Sequence, residues 1–103
     1  MSDFSKHFYE VAQNKFGSKL VIDKHGQDEL LIHITDALTD GMKAKGYGGV
    51  EVNGEISQKS SHIFQLYMTA DEARGPSASA KLEMKMMSKG IGAWRCMFLA
   101  EVN

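Results

Sequence analysis

The side chains that can move protons, hold metals or attack a substrate are thinly spread along this chain. The four histidines, His7, His25, His33 and His62, form no pair at a strong metal-ligand spacing, and a single cysteine, Cys96, excludes a cysteine-rich zinc site. Asp23, His25 and Asp28 gather near one turn, where Asp and His are also ordinary turn and capping residues. Glu29 and His33 stand four residues apart, as do Asp36 and Asp40. On a helix that spacing brings a carboxylate beside an imidazole, an arrangement suited to general acid–base work. A solvated acidic helix face accounts for the same residues without catalysis and is the simpler reading. Such a face would meet a basic surface. Cys96 falls on the inward side of a C-terminal strand, where cysteine behaves as a small hydrophobe, and nothing in the sequence brings a histidine beside it. The sequence therefore predicts no catalytic residue, no metal site and no cofactor.

One glycine-rich stretch, Lys45-Gly46-Tyr47-Gly48-Gly49-Val50-Glu51-Val52, partly echoes the signature of RNA-recognition motifs, in which strand aromatics stack bases. Gly49 and Val52 stand where stacking aromatics are required, and the upstream β-α-β order is missing, so the stretch reads as a flexible connector. A phosphate-binding loop is excluded as well, because here a helix leads into a strand instead of the reverse.

The elements that must carry these residues follow from hydrophobic periodicity. Ser2 or Asp3 can cap a first helix, in which Phe4, Phe8, Val11, Ala12 and Phe16 form one stripe that ends at Gly17. Its polar face mixes charges, unlike a membrane-surface helix. Lys19 to Ile22 is a small strand or an extended linker. Asp28 to Ala44 reads as a second helix, because Leu30, Leu31, Ile34, Ala37, Leu38, Gly41 and Met42 share one arc at about 100° per residue. Glu29, His33, Asp36 and Asp40 lie on the other side, and Gly46 is a suitable terminator. A hairpin around Asp23–Gly26 competes with the start of that helix. The second half alternates as four strands: Val50 to Ile56, Ile63 to Thr69, Leu82 to Met87 and Trp94 to Val102. Asp71 to Ser79 reads as a long polar connection around Gly75-Pro76, and Lys89 to Gly92 as a hairpin turn. The fold class expected is α+β, with two N-terminal amphipathic helices packed on one face of a C-terminal four-stranded antiparallel β-meander, as a single domain over residues 1–103.

Composition narrows the function classes. Of 103 residues, 43% are hydrophobic and 24% charged, ordinary for a globular domain, and the net charge of −1 gives no general pull toward nucleic acid or acidic membranes. A lone cysteine forms no internal disulfide, the N-terminus has no apolar stretch, and no apolar run suits a membrane helix, so a cytoplasmic protein is expected. What the domain does not explain by itself is the outer face of the meander. Ile63, Tyr67, Met87, Met97 and Leu99 interrupt Glu51, Glu55, Glu83, Lys85 and Arg95 there.

The reading that follows is a small non-enzymatic interaction protein, an inhibitor, adaptor or regulator. It would engage a protein partner or a second copy through Ile63, Tyr67, Met87, Met97, Leu99 and Arg95, with the acidic stripe of Glu29, Asp36 and Asp40 as a further contact. Compact inhibitors of this size are common on mobile genetic elements, which makes such an element a candidate source. The alternative is a nucleic-acid-binding module using a local patch from Lys43, Lys45, Lys59, Lys81, Lys85, Lys89 and Arg95. A small-ligand binder or enzyme, with Tyr47, His62, Glu72 and Arg74 around a pocket between helices and sheet, ranks third.

Overall fold

The computed structural model describes residues 3–16, 20–23, 26–73, 75–86 and 93–99, the strands at 20–23 and 93–99 and residue 86 by backbone alone. Two helices and an antiparallel sheet make the chain α+β. The elements run α1 (Asp3–Phe16), β1 (Leu20–Asp23), α2 (Gln27–Ala44), β2 (Val50–Gln58), β3 (Ile63–Glu72), β4 (Ser77–Met86) and β5 (Ala93–Leu99). The sheet order is β1-β5-β4-β3-β2, every neighbouring pair antiparallel.

Two expectations are corrected and one choice is decided. The sheet has a fifth strand, because the short apolar run near residue 20 becomes β1 and pairs with β5, Leu20 opposite Cys96 and Ile22 opposite Trp94. The favoured helix holds against the competing hairpin around Asp23–Gly26: α2 begins at Gln27, and its arc of large apolar residues is longer than a strand can use. The polar connection at 71–79 is much shorter than its composition suggests. Ala70 pairs with Ala78 and Asp71 with Ser77, leaving a tight turn in which Glu72 N–H donates to Pro76 O at 2.9 Å and Gly75 takes φ +124°. Ser77 to Ala80 belongs to β4 by its pairing with Met68 to Asp71 of β3, and Ala78, Ser79 and Ala80 are all buried.

Each helix forms for a legible reason. The stripe of α1 buries Phe4, Phe8, Val11, Ala12 and Phe16. In α2, Leu30, Ile34, Leu38 and Met42 are wholly buried, while Asp28 and Glu29 in the first turn and Lys43 in the last suit the helix dipole. The helix ends in a Schellman arrangement: Tyr47 N–H donates to Met42 O and Gly46 N–H to Lys43 O, both at 3.0 Å. Gly46 supplies the positive φ of +98° that this ending needs. The reversal turns Tyr47 back onto α1, edge to face with Phe4 at a centroid distance of 5.1 Å.

The helix stripes and the inner rows of β2, β3 and β4 form one core, with Phe64, Leu66, Met68 and Ala70 of β3 and Ala78, Ala80, Leu82 and Met84 of β4 all buried. α1 packs against β4, β5 and α2, and α2 packs chiefly against β2. The helices approach closely at Gly41, since a Cβ there would collide with Cγ1 of Val11. Met84 lies in the core as its parity requires. The expected inward row of Trp94, Cys96 and Phe98 concerns side chains outside the described set, and Met87, Lys89 to Gly92, Ala100 and Val102 are outside it altogether.

Candidate functional site

The strand pairing sets out the sheet face that the core does not use. Glu55, Tyr67, Lys81 and Leu99 stand in one cross-strand row. Ser57, Gln65, Glu83 and Met97 form the next, and Ile63, Lys85 and Arg95 the one after that. Opposed residues in antiparallel strands share a face, so four of the six sheet residues expected to contact a partner, Tyr67, Leu99, Met97 and Ile63, fall into adjacent rows beside the fifth, Arg95. The sixth, Met87, lies outside the described residues. For Arg95, Met97 and Leu99 this is a statement of register alone.

Among the described side chains this face is more polar than its sequence suggests. Ile63 is half-buried, and Gln65, Thr69, Lys81 and Glu83 share that partial cover. Tyr67 is the exposed large hydrophobic residue of the face, 41% exposed on β3, with Glu55 on one side and Lys81 on the other. Beside it a shallow recess of about 220 Å³ is lined by Asn53, Gly54, Glu55, Tyr67 and Thr69. A phenol, an amide, a carboxylate and a hydroxyl around one hollow can donate and accept hydrogen bonds over an aromatic floor. Asn53 is already turned along its strand, its Nδ2 3.5 Å from Glu51 Oε1. Such a set suits recognition. It lacks the pairing of a nucleophile with an oriented base that chemistry would need.

The acidic stripe belongs to another side of the molecule. Glu29, Asp36 and Asp40 are exposed on α2, away from its buried arc, and are not on the sheet face that carries Tyr67. Glu29 and His33 form no ion pair among the described residues, whereas two ion pairs at the helix junction converge on Glu10. Lys45 Nζ lies 3.3 Å from Glu10 Oε2, and His7 Nδ1 lies 3.6 Å from the same oxygen, too far for a hydrogen bond. With the His7 ring 5.6 Å from that of Tyr47, this cluster ties α1 to the end of α2.

The other candidates disperse. Tyr47 packs into the helix junction and is not on a strand, which removes the geometry that RNA-recognition motifs use. It stands just before β2 begins, at the far end of that strand from His62, which is exposed in the β2–β3 turn; Glu72 is half-buried where β3 ends opposite Val50, and Arg74 is outside the described residues. Lys43 and Lys45 close α2 just before β2 begins, whereas Lys59 follows the end of β2, roughly 27 Å further on at the usual strand rise. Those lysines do not make one patch. No group of three or more metal-ligating side chains occurs among the described residues. No helix among them is long and apolar enough to cross a membrane.

Sequence reasoning missed Ile32. It is 60% exposed on α2, the most exposed large hydrophobic residue described. Its signal was an apolar residue outside the helical arc, flanked by Asp28, Glu29 and Asp36.

Compared with known proteins, the chain matches no family model, no curated protein and no solved structure.

Proposed function

We propose that this chain acts by binding a macromolecular partner, as an inhibitor, adaptor or regulator, and not by catalysis. The arrangement proposed is two helices over one face of the meander, leaving the opposite face as the recognition surface. One observation carries the reading: Tyr67 stands exposed on that opposite face, midway along β3 beside the edge strand, between Glu55 and Lys81 and next to the recess at Asn53 and Thr69. An aromatic anchor ringed by polar groups of both signs is what protein–protein contacts favour. Ile63 and the register positions of Arg95, Met97 and Leu99 extend the surface toward β5. A protein partner fits better than nucleic acid, because Glu55 and Glu83 alternate with Lys81 and Lys85 across the same rows.

The test is affinity capture from cells of the source, comparing the wild-type chain with Tyr67→Ser. A protein held by the wild type and lost from the variant, with the thermal midpoint unchanged, supports the reading. Equal retention by both chains counts against it. Capture of nucleic acid that weakens steeply with added salt would put the alternative in its place.

A further inference from the structure

We propose that two copies of this chain associate through β2, pairing strand to strand about a two-fold axis at Gly54 and continuing one sheet into the other. This goes beyond the partner surface at Tyr67 and does not depend on it.

β2 is an edge strand of nine residues with neither proline nor lysine, and among the described residues its outer edge has no pairing strand. A long regular edge is a template for another strand unless something guards it. Here the guards are Glu51 and Glu55, and they act on register. A two-fold pairing that keeps like faces together must be centred on a residue. Centring on Asn53 sets Glu51 opposite Glu55 of the second copy, and centring on Glu55 sets that carboxylate against itself; like charges directly opposed destabilise a sheet. Centring on Gly54 opposes Asn53 with Glu55, Glu51 with Ser57 and Val52 with Ile56. Only this alignment pairs all nine residues, and it opposes no two carboxylates.

The helix above the edge independently selects the same side. Gly41 of α2 faces Val11 of α1, and at 100° per residue Ile32 stands on the far side of α2, beyond β2. Leu31, half-exposed, hangs over the proposed axis itself, its Cδ1 2.9 Å from where a Cβ on Gly54 would lie. The exposed Ile32, the half-exposed Leu31 and the unpaired edge therefore adjoin one another. A second copy brought by β2 covers all three at once and, because the axis is perpendicular to the sheet, leaves both Tyr67 residues on one side.

The experiment is sedimentation velocity of the full chain from 1 µM to roughly 300 µM, spanning the affinities of weak to moderate pairs. The wild type should form a dimer in that range. Asn53→Glu puts two opposed carboxylate pairs across the axis and should weaken the dimer about tenfold, whereas Asn53→Lys forms two opposite-charge pairs and should strengthen it. Ile32→Asp should also weaken it. Thermal melts of each variant exclude loss of folding as the cause. A wild type that stays monomeric throughout, a dimer unmoved by Ile32→Asp and Asn53→Glu, or a dimer weakened by Asn53→Lys would overturn the proposal. The last result would mean that Asn53 meets its own copy.

Discussion

Replacing Gly41 with alanine sets two effects of similar size against each other. In the interior of a helix the change alone should stabilise by about 1 kcal/mol, because glycine is a poor helix former. Gly41, however, lies in the contact between α1 and α2, and the new Cβ would run into Cγ1 of Val11. Val11 is only 4% exposed and is β-branched, so its methyl cannot swing aside at χ1 without leaving its favoured rotamer. Overpacking of this kind costs about 1–3 kcal/mol. The overlap is severe, which places the cost in the upper part of that range, so Gly41→Ala should lower stability by about 1 kcal/mol or more in spite of its propensity gain. That corresponds to a fall in Tm of about 4–8 °C for a domain of this size. The sign should reverse once the obstacle is gone. In a Val11→Ala background the second substitution should recover the propensity gain and stabilise by about 1 kcal/mol. Urea unfolding of the two single variants and the double variant, followed by far-ultraviolet circular dichroism, gives the coupling, expected at about 2 kcal/mol or more. If Gly41→Ala stabilises the wild-type chain and the coupling is near zero, α1 and α2 do not meet at Gly41 and the packing argument fails.

Three further outcomes follow from the same geometry. Gly46→Ala should destabilise by about 1–2 kcal/mol in urea titrations through its positive φ alone, since nothing lies within 4 Å of a Cβ there, and Gly46→Asn should cost less. Phe8→Ala, at a side chain 1% exposed, should cost about 3–5 kcal/mol and expose enough core to be read by dye binding as well as by unfolding. Glu10→Gln should change stability by less than about 1 kcal/mol, because the Lys45 and Glu10 side chains are 36% and 37% exposed and solvent screens the pair.

Much of the fold is legible in the sequence where large apolar residues recur at a single period. The stripe from Phe4 to Phe16 and the arc from Leu30 to Met42 are buried as helices, and the row Phe64, Leu66, Met68 is buried as a strand. The misreadings share a cause. Ser77 to Ala80 looks like a loop because serine and alanine carry little hydrophobic contrast, yet the segment pairs with β3 and even Ser79 is only 4% exposed. β1 is four residues long, too short to show a period, and its strand character comes from pairing with a segment far away in sequence. Tyr67 could be read as a surface residue from its parity in β3. Ile32 could not be distinguished from a chance apolar residue until the helix had a core side and a side beyond the edge strand. The separation of the acidic stripe from the sheet surface was likewise invisible, because a one-dimensional list of exposed residues does not say which of them face the same way.

The most direct test of the central claim is site-specific photocrosslinking in cells of the source, with one photoreactive residue replacing Tyr67 and a second, in a separate chain, replacing Gln13 on the exposed side of α1. The account predicts a discrete adduct from the probe at 67 and none from the probe at 13. A discrete adduct from 13 with none from 67 would contradict it.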